Sequence, residues 1–420
     1  MWHGLRCVGR AFRRTGKLPV RLSRNLVALS SVLLFAGTGC KHWGFPQKPA
    51  NYREFAYVTN GGSNTVSVLD LVYLRPDRVL QVGRDPGGAT ANPKRNEVYV
   101  VNSGDGTITV IDAETNNIVS TMGVHRKPYS ISVDADGRMA YVANSGSNSV
   151  SVIDLDQRRE IAVAGTGEEP GLAKVSPDMR SLVVTNRASG SVSIYDLSPA
   201  PDKDTGEYTP PKLRSTFDGC PGATDATILP DSSKVFVACS GGHEVLAVGL
   251  ASAPDSWAAK QDPDTMHDRK LTLLDVGEVP VHLAMKPDGG EIFVSNFGSN
   301  TISELSTWTN EVGITFPIGT KPTRGIVSAD NSMLWVSTFG GDAVSIYSID
   351  DGHLQNVIRT GPAPDAIAFS ADEHLLLTAN TVSGDVSLIR TQGRDGPGLY
   401  TMLPAGKSPN SIAIKSFYVK

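Results

Sequence analysis

The chain has 420 residues, of which 40% are hydrophobic and 20% are charged, and it contains 42 glycines. This composition is typical of a turn-rich globular protein and excludes a largely disordered chain. Charge is unevenly distributed, because residues 1–39 carry seven basic side chains and no acidic one, which leaves 32 basic against 43 acidic residues in the rest. A surface this acidic repels phosphate backbones, so we expect no nucleic acid among the partners.

The N-terminal segment has the layout of a secretory signal peptide. Its basic stretch is followed by a ten-residue apolar segment at 26–35 (LVALSSVLLF) and then by small residues up to Cys40. The apolar segment is shorter than the roughly 20 helical residues that cross a bilayer. We therefore predict that residues 1–39 are removed on export.

Cys40 resembles the lipidated cysteine of a bacterial lipobox, although Gly37 stands where that pattern prefers leucine. The resemblance implies a lipoprotein anchored to a membrane through Cys40, in the periplasm or at the cell surface. Ordinary cleavage, with Cys40 incidental, is the alternative.

From residue 55 onward one pattern recurs eight times. The segments FAYVTNGGSNTVSVLD (55–70) and EVYVVNSGDGTITVID (97–112) illustrate it, with apolar residues alternating along two short strands around a loop. The residue that ends the first of these strands marks the phase of each copy: Asn60, Asn102, Asn144, Asn186, Cys239, Asn296, Thr338 and Asn380. Five of the seven spacings between them are 42 residues. A recurring 42-residue unit predicts a β-propeller.

Strand counting predicts the number of blades. Each copy adds a third strand, such as 116–124, and a proline-led strand, such as PYSISV (128–133). The chain begins within a copy and ends with one extra strand, PNSIAI (409–414), which completes the first blade and removes exposed sheet edges. We predict an all-β propeller of eight four-stranded blades over residues 55–420, after a signal peptide (1–39) and a linker (40–54). Seven blades are the alternative.

The strings YVTN, YVVN, YVAN and VVTN resemble the YVTN β-propeller repeat family of bacterial and archaeal exported and surface-layer proteins. The resemblance covers residues 55–420 and implies an extracytoplasmic propeller. It assigns no catalytic residue, because the motif is structural. Related propellers include lactonases, amine-dehydrogenase heavy chains and haem d1 domains, so the fold alone does not select a function.

Two insertions, residues 197–217 and 250–270, lengthen neighbouring copies at the same position of the repeat. Their Pro, Asp, Lys and Thr content predicts loops. We expect them to lie side by side on one face, where Tyr208 and Trp257 would anchor a protein partner. Tolerated surface insertions are the alternative.

Two cysteines belong to the fifth copy. Cys239 replaces the phase-marking asparagine, and Cys220 precedes the strand that pairs with it. A simple register places the two about four residues out of step. Because exported proteins meet an oxidising compartment, a Cys220–Cys239 disulfide and two free buried thiols are both open.

The proline-led strands are expected to be innermost, with the residues two and four positions after the proline directed to the channel. These residues are mostly small, but four consecutive copies carry Lys174, Asp225, His282 and Arg324. With Tyr129, this polar arc is a candidate site for a small anionic or polar ligand. Nearby loops add charges at its mouth: Asp85, Lys127, Glu169, Lys321 and Asp365. A water-filled channel whose charges satisfy one another is the alternative.

The sequence contains no C-x-x-C-H haem motif, no zinc-type ligand spacing and no nucleophile elbow. We therefore expect no metal, no cofactor and no catalytic residue. The preferred interpretation is an exported, lipid-anchored, monomeric binding or scaffold protein for a protein partner or a small polar ligand. The alternative is a periplasmic enzyme, either a lactonase-like hydrolase or a dehydrogenase subunit, that uses the polar arc.

Overall fold

The computed structural model describes residues 46–197, 208–393 and 396–419. The predicted signal peptide and Cys40 lie outside these ranges. The described residues form 32 β-strands in eight four-stranded antiparallel sheets, with one short α-helix. None of their helices is long and apolar enough to cross a bilayer.

Blade one combines both ends of the described chain. It contains β1 (Tyr52–Asn60), β2 (Thr65–Asp70), β3 (Arg75–Gln81) and the last strand, β32 (Pro409–Tyr418). β32 pairs antiparallel with β1, so that Ala56 lies opposite Ile414. This pairing closes the ring and confirms the prediction of eight blades. β1 begins three residues before the predicted propeller boundary, within the predicted linker.

The other seven blades follow in chain order, each with its strands in sequence from the channel outward. Blade two contains β4 (Pro86–Ala91), β5 (Glu97–Asn102), β6 (Thr107–Asp112) and β7 (Asn117–Gly123). Blade three contains β8 (Pro128–Val133), β9 (Met139–Asn144), β10 (Ser149–Asp154) and β11 (Arg159–Gly165). Blade four contains β12 (Pro170–Val175), β13 (Ser181–Asn186), β14 (Ser191–Asp196) and β15 (Lys212–Asp218). Blade five contains β16 (Ala223–Ile228), β17 (Lys234–Cys239), β18 (Glu244–Gly249) and β19 (Arg269–Asp275).

Blade six contains β20 (Pro280–Met285), β21 (Glu291–Asn296), β22 (Thr301–Ser306) and β23 (Glu311–Pro317). Blade seven contains β24 (Pro322–Val327), β25 (Met333–Thr338), β26 (Ala343–Ser348) and β27 (His353–Arg359). Blade eight contains β28 (Pro364–Phe369), β29 (Leu375–Asn380), β30 (Asp385–Arg390) and β31 (Gly398–Pro404).

The antiparallel blades give the ring two distinct faces. The innermost strands start at one face, here called the mouth face, which also carries the loops between blades and between second and third strands. The base face carries the first-to-second turns and the third-to-outermost connections. Neighbouring base turns are hydrogen-bonded to each other, as where the Asp178 amide donates to Ser232 Oγ at 3.0 Å and the Ala371 amide donates to Glu54 Oε1 at 2.6 Å.

The phase-marking asparagines hold the second and third strands of their blades together. Asn186 Nδ2 donates to the hydroxyls of Ser191 and Ser193 at 3.1 and 3.0 Å, and the side chain is fully buried. In the other asparagine blades the amide likewise donates to side chains five and seven positions later. The recurring asparagine therefore has a structural role, because its side-chain amide is used between strands.

The second insertion is not the loop that its composition predicts. It contains the helix α1 (Trp257–Gln261), capped where the Ala259 amide donates to Ser256 Oγ, and a 3-10 turn at Pro263–Met266. The final residues of both insertions belong to the outermost strands β15 and β19. Arg214 of β15 donates two hydrogen bonds to the buried carboxylate of Asp268, which ties the first of these strands to the second insertion.

Tyr208, one of the two aromatic residues expected to anchor a partner, is not freely exposed. Its side chain is half-buried and packs against the core of Tyr141 and Leu182, where burial raises the pKa of its hydroxyl. The ring packs against side chains of blades three and four and is only partly exposed. Trp257, by contrast, is 77% exposed.

Candidate functional site

The channel side chains come from the innermost strands, but one of them stands at a different level from that predicted. Pro221 resembles the prolines that lead these strands, yet Ala223 is the residue paired with Cys239, in the place where Pro170 pairs with Asn186. Asp225 is therefore two positions into β16, at the level of His282 and Arg324 in the next two blades. Lys174 stands four positions into β12, one layer deeper.

Lys174, Asp225 and His282 form a self-contained cluster on one side of the channel. The Asp225 carboxylate lies 3.7 Å from Lys174 Nζ and 3.8 Å from His282 Nε2, and it accepts the Leu283 amide at 2.9 Å. Lys174 Nζ also donates to the Ala226 carbonyl at 2.5 Å. The charge pairing within this cluster agrees with the alternative of mutually satisfied charges for this part of the arc, although the Lys174 side chain is 41% exposed.

Burial and neighbouring charges set the protonation states of this cluster. Burial lowers the pKa of His282 to about 4, against the attraction of the Asp225 carboxylate. The pKa of Asp225 is raised by burial, but Lys174 and the other cations opposite it reverse this and hold it below its usual value. At neutral pH the imidazole is neutral and the carboxylate charged. His282 Nδ1 accepts the Gly325 amide at 3.3 Å, so Nε2 carries the proton and faces Asp225.

A cavity of about 760 Å³ opens on the mouth face, on the side of the channel away from this cluster. Of the five predicted ligand-binding residues, Tyr129 and Arg324 line it, whereas Lys174, Asp225 and His282 do not. Three predicted mouth residues also line it, namely Asp85, Lys127 and Asp365. Most of the remaining wall consists of small residues and backbone from the innermost strands. Glu169 and Lys321 are not part of its lining, and Lys321 Nζ lies 5.4 Å from the centre of the Phe297 ring.

Arg324 and Asp365 form an ion pair that remains available to a ligand. Arg324 Nε lies 3.6 Å from Asp365 Oδ1, which is ion-pair range but longer than a hydrogen bond. Their side chains are 48% and 30% exposed to the cavity and the solvent. Unlike the Lys174 cluster, this pair presents a guanidinium and a carboxylate side by side at the wall of a cavity.

Ser337 fixes the spacing of this pair from behind. Its hydroxyl accepts the backbone amide of Arg324 at 3.1 Å and donates to the backbone carbonyl of Asp365 at 2.9 Å. The side chain is fully buried on β25, which pairs with β24, the strand of Arg324, and packs against β28, the strand of Asp365. Sequence reasoning missed Ser337, since only the three-dimensional neighbourhood distinguishes it from the other small residues of the repeat.

An aromatic ring stands at the opposite side of the cavity. Tyr129 is 42% exposed, and the guanidinium of Arg187 lies 4.2 Å from the centre of its ring. This cation–π contact holds the ring in place and leaves its other face towards the cavity. The cavity thus combines a flat aromatic surface with charged groups, a combination suited to a small polar organic molecule.

The described residues contain no group of three or more His, Cys, Asp or Glu side chains that could hold a metal ion. Within the same ranges, the two cysteines of blade five are joined, with their Sγ atoms at 2.08 Å. Of the two possibilities for Cys220 and Cys239, a disulfide or two free buried thiols, the structure shows the disulfide.

The comparisons with known proteins agree on the fold. The family model described as "Lactonase, 7-bladed beta-propeller" matches residues 20–210, which is less than half of the chain, and the described ring has eight blades. No curated protein matches the sequence.

Many solved structures share the architecture at low sequence identity. The dihydro-haem d1 dehydrogenase NirN, solved with DHE, is 16% identical, with a TM-score of 0.67, over 89% of this chain and 76% of that one. A candidate 6-phosphogluconolactonase from Bacteroides uniformis ATCC 8492 is 16% identical, with a TM-score of 0.57, over 86% and 99%. A protein of unknown function from Desulfotomaculum acetoxidans DSM 771 is 16% identical, with a TM-score of 0.57, over 76% and 98%. At these identities the similarity shows that the chain is a β-propeller.

Proposed function

We propose that this chain is a lactonase-like hydrolase that opens a small polar lactone in the mouth cavity. The observation that carries the proposal is the Arg324–Asp365 pair, whose charged atoms are 3.6 Å apart at the wall of a 760 Å³ cavity. The partial match to a lactonase family model supports the same reaction class. The lining carries two cationic side chains, Lys127 and Arg324, beside two carboxylates, Asp85 and Asp365, so it suits a polar substrate whose anionic substituent would bind to Lys127 or Arg324.

The two charged groups have complementary roles in this reaction. The Asp365 carboxylate takes a proton from a water molecule as the water oxygen attacks the lactone carbonyl. The Arg324 guanidinium stabilises the oxyanion that forms on that carbonyl oxygen. The ring C–O bond then breaks, and the proton returns from Asp365 to the departing ring oxygen, which gives a hydroxy acid.

Binding without turnover is the second candidate function, and the state of His282 favours it. Both ring nitrogens of this imidazole are engaged, one by the Gly325 amide and the other towards Asp225. A histidine base is thus not available at this level of the channel, and hydrolysis depends on Asp365 alone. On this reading the cavity would retain a small anion, and the protein would act as a receptor or scaffold.

Export and lipid anchoring through Cys40 are part of the proposal, and the signal-like sequence of residues 1–39 supports them. Metabolic labelling with a radioactive fatty acid tests the anchor. Label on the native chain that is lost in Cys40→Ala supports it, and equal label on both chains contradicts it.

One experiment separates the two functions of the cavity. The full chain is incubated with neutral and phosphorylated sugar lactones and with their hydroxy acids. Ring opening is followed by acid release, and binding by the shift in melting temperature. Acid release supports the hydrolase, and a melting shift without acid release supports the receptor. If neither acid release nor a melting shift is observed, both functions are contradicted. The variant Arg269→Ala, which removes an exposed ion pair with Asp262 far from the cavity, is the matched control.

A further inference from the structure

The base face carries several aromatic side chains that are largely exposed. The exposed fractions are 85% for Trp308, 77% for Trp257, 66% for Tyr73 and 61% for Tyr418. Trp308 and Tyr73 occupy third-to-outermost turns, Trp257 lies in the corresponding insertion, and Tyr418 ends the innermost strand β32. Tryptophan side chains are, on average, highly buried.

These side chains are spread across the face. Tyr73 and Tyr418 belong to blade one, Trp257 to blade five and Trp308 to blade six. In a ring of eight blades, the first and the fifth are diametrically opposite. Aromatic rings at opposite ends of a diameter suit contact with an extended flat surface better than contact with a small protein knob.

The N-terminal end of the described chain emerges at the same face. Lys48 pairs with Asp372, which belongs to the base turn of blade eight, and its ammonium group lies 4.8 Å from the centre of the Tyr52 ring. Cys40 precedes Lys48 by eight residues, a distance of at most about 28 Å for an extended chain. An anchor at Cys40 would therefore hold the base face close to the membrane.

We propose that the base face lies on the lipid bilayer, with Trp257, Trp308 and Tyr73 in the headgroup region, so that the cavity mouth faces away from the membrane. The inference rests on the proposed lipid anchor and is independent of the reaction in the cavity. Tryptophan and tyrosine rings suit this depth because they combine an apolar body with one polar atom. The first-to-second base turns carry more acidic than basic side chains, so we expect the contact on zwitterionic lipid and not on anionic lipid.

Quenching of tryptophan fluorescence by brominated lipid tests this orientation. The full lipidated chain is placed in phosphatidylcholine vesicles with brominated acyl chains and compared with Trp257→Phe/Trp308→Phe. A third variant adds Val382→Trp to that double variant. Val382 is 72% exposed in a second-to-third loop of blade eight, on the mouth face. It provides a matched probe away from the proposed contact.

We expect the fluorescence contributed by Trp257 and Trp308 to be quenched at least twofold more than that contributed by Val382→Trp. Vesicle-bound protein with equal quenching at the two faces would overturn the orientation and leave the anchor standing. Protein that fails to sediment with vesicles would overturn both. Trp257 and Trp308 could also resist quenching in vesicles and yet be protected from chemical oxidation in native membranes. That result would indicate that the base face contacts a protein partner and not the bilayer.

Discussion

Cys220 and Cys239 are bonded at the place in blade five where Gly167 and Asn186 meet in blade four. Both pairs are 19 residues apart, and in both the second member ends the second strand. A Cβ at Gly167 would lie 2.8 Å from the Asn186 side chain, so the glycine makes room for the amide. In blade five a covalent bond replaces this contact.

Blade five also lacks the hydroxyls that the asparagine amide needs. Five and seven positions after Cys239 stand Glu244 and Leu246, where blade four has Ser191 and Ser193. The disulfide thus substitutes for a complete hydrogen-bonding arrangement. This explains why the cysteine appears at a position that is otherwise asparagine in six copies.

Removing the disulfide should destabilise the propeller. The bond closes a loop of about 20 residues, so we expect Cys220→Ala/Cys239→Ala to lose about 3 kcal/mol of unfolding free energy. Chemical denaturation of both proteins under oxidising conditions measures the difference. The native chain is also reduced before unfolding and compared with the variant. If the variant is less stable than the reduced native chain by the same amount, the loss comes from packing and not from the cross-link.

Restoring the consensus pair should not repair blade five. In Cys220→Gly/Cys239→Asn, the new amide would lack an acceptor seven positions later, where Leu246 stands, and would have only the Glu244 carboxylate five positions later, as Asn380 has Asp385. We therefore expect this variant to be about 1–3 kcal/mol less stable than the double alanine variant, the cost of a buried unpaired polar group. The same denaturation series measures it. Equal or greater stability would mean that the asparagine finds other partners.

His282 should make the protein sensitive to mild acid. Its folded-state pKa of about 4 is below the ordinary value of 6.5, so the unfolded chain binds a proton between these values and the folded chain does not. Stability is therefore lost as the pH falls from about 6.5 to 4, by about 3 kcal/mol for this group.

The variant His282→Asn should remove this contribution, and its melting temperature should fall less than that of the native chain between pH 7 and pH 4. His353→Asn, at an exposed site on an outermost strand, is the control and should follow the native curve. Parallel curves for the native chain and His282→Asn would show that the imidazole is protonated in the folded protein.

Ser337 should act on catalysis through the positions of Arg324 and Asp365. Loss of its hydroxyl releases two backbone hydrogen bonds behind the ion pair, so we expect Ser337→Ala to lower kcat/KM about tenfold, mainly through kcat. Ser132→Ala is the matched control, because Ser132 donates to the Ala173 carbonyl of the next blade but supports no residue of the cavity pair. Equal losses of kcat/KM in Ser337→Ala and Ser132→Ala would indicate a purely structural role for Ser337. Failure of threonine to restore kcat/KM at either position would indicate the same.

The sequence predicts the ring well because each blade repeats the same local pattern. The extra strand at 409–414 completes the first blade when the strands of each copy are counted, so the closure through β32 is predictable from the sequence. Deviations from the pattern are harder to interpret. Pro221 resembles a strand-leading proline, but the strand begins two positions later at Ala223, which shifts Asp225 to another level of the channel. The residues around Tyr208 have the composition of a surface loop, but its ring packs against the core.

The site is predicted only in part, because its residues depend on which channel charges pair with each other. A strand pattern places Lys174, Asp225, His282 and Arg324 in the channel, but it does not show that the first three satisfy one another. Arg324 pairs with Asp365 at a similar distance, 3.6 Å, but it lines the cavity and its side chain is 48% exposed. Such distances are set by the packing of neighbouring blades.

The rate of lactone opening by Arg324→Gln tests the proposed hydrolase most directly. We expect the full native chain to hydrolyse a small anionic lactone and the variant to lose about 100-fold or more in kcat/KM, because the substitution removes an oxyanion donor. Arg269→Gln, on the outermost strand of blade five, should retain the native rate. Hydrolysis that is equally fast in Arg324→Gln and the native chain would contradict the proposed role of Arg324 in lactone hydrolysis.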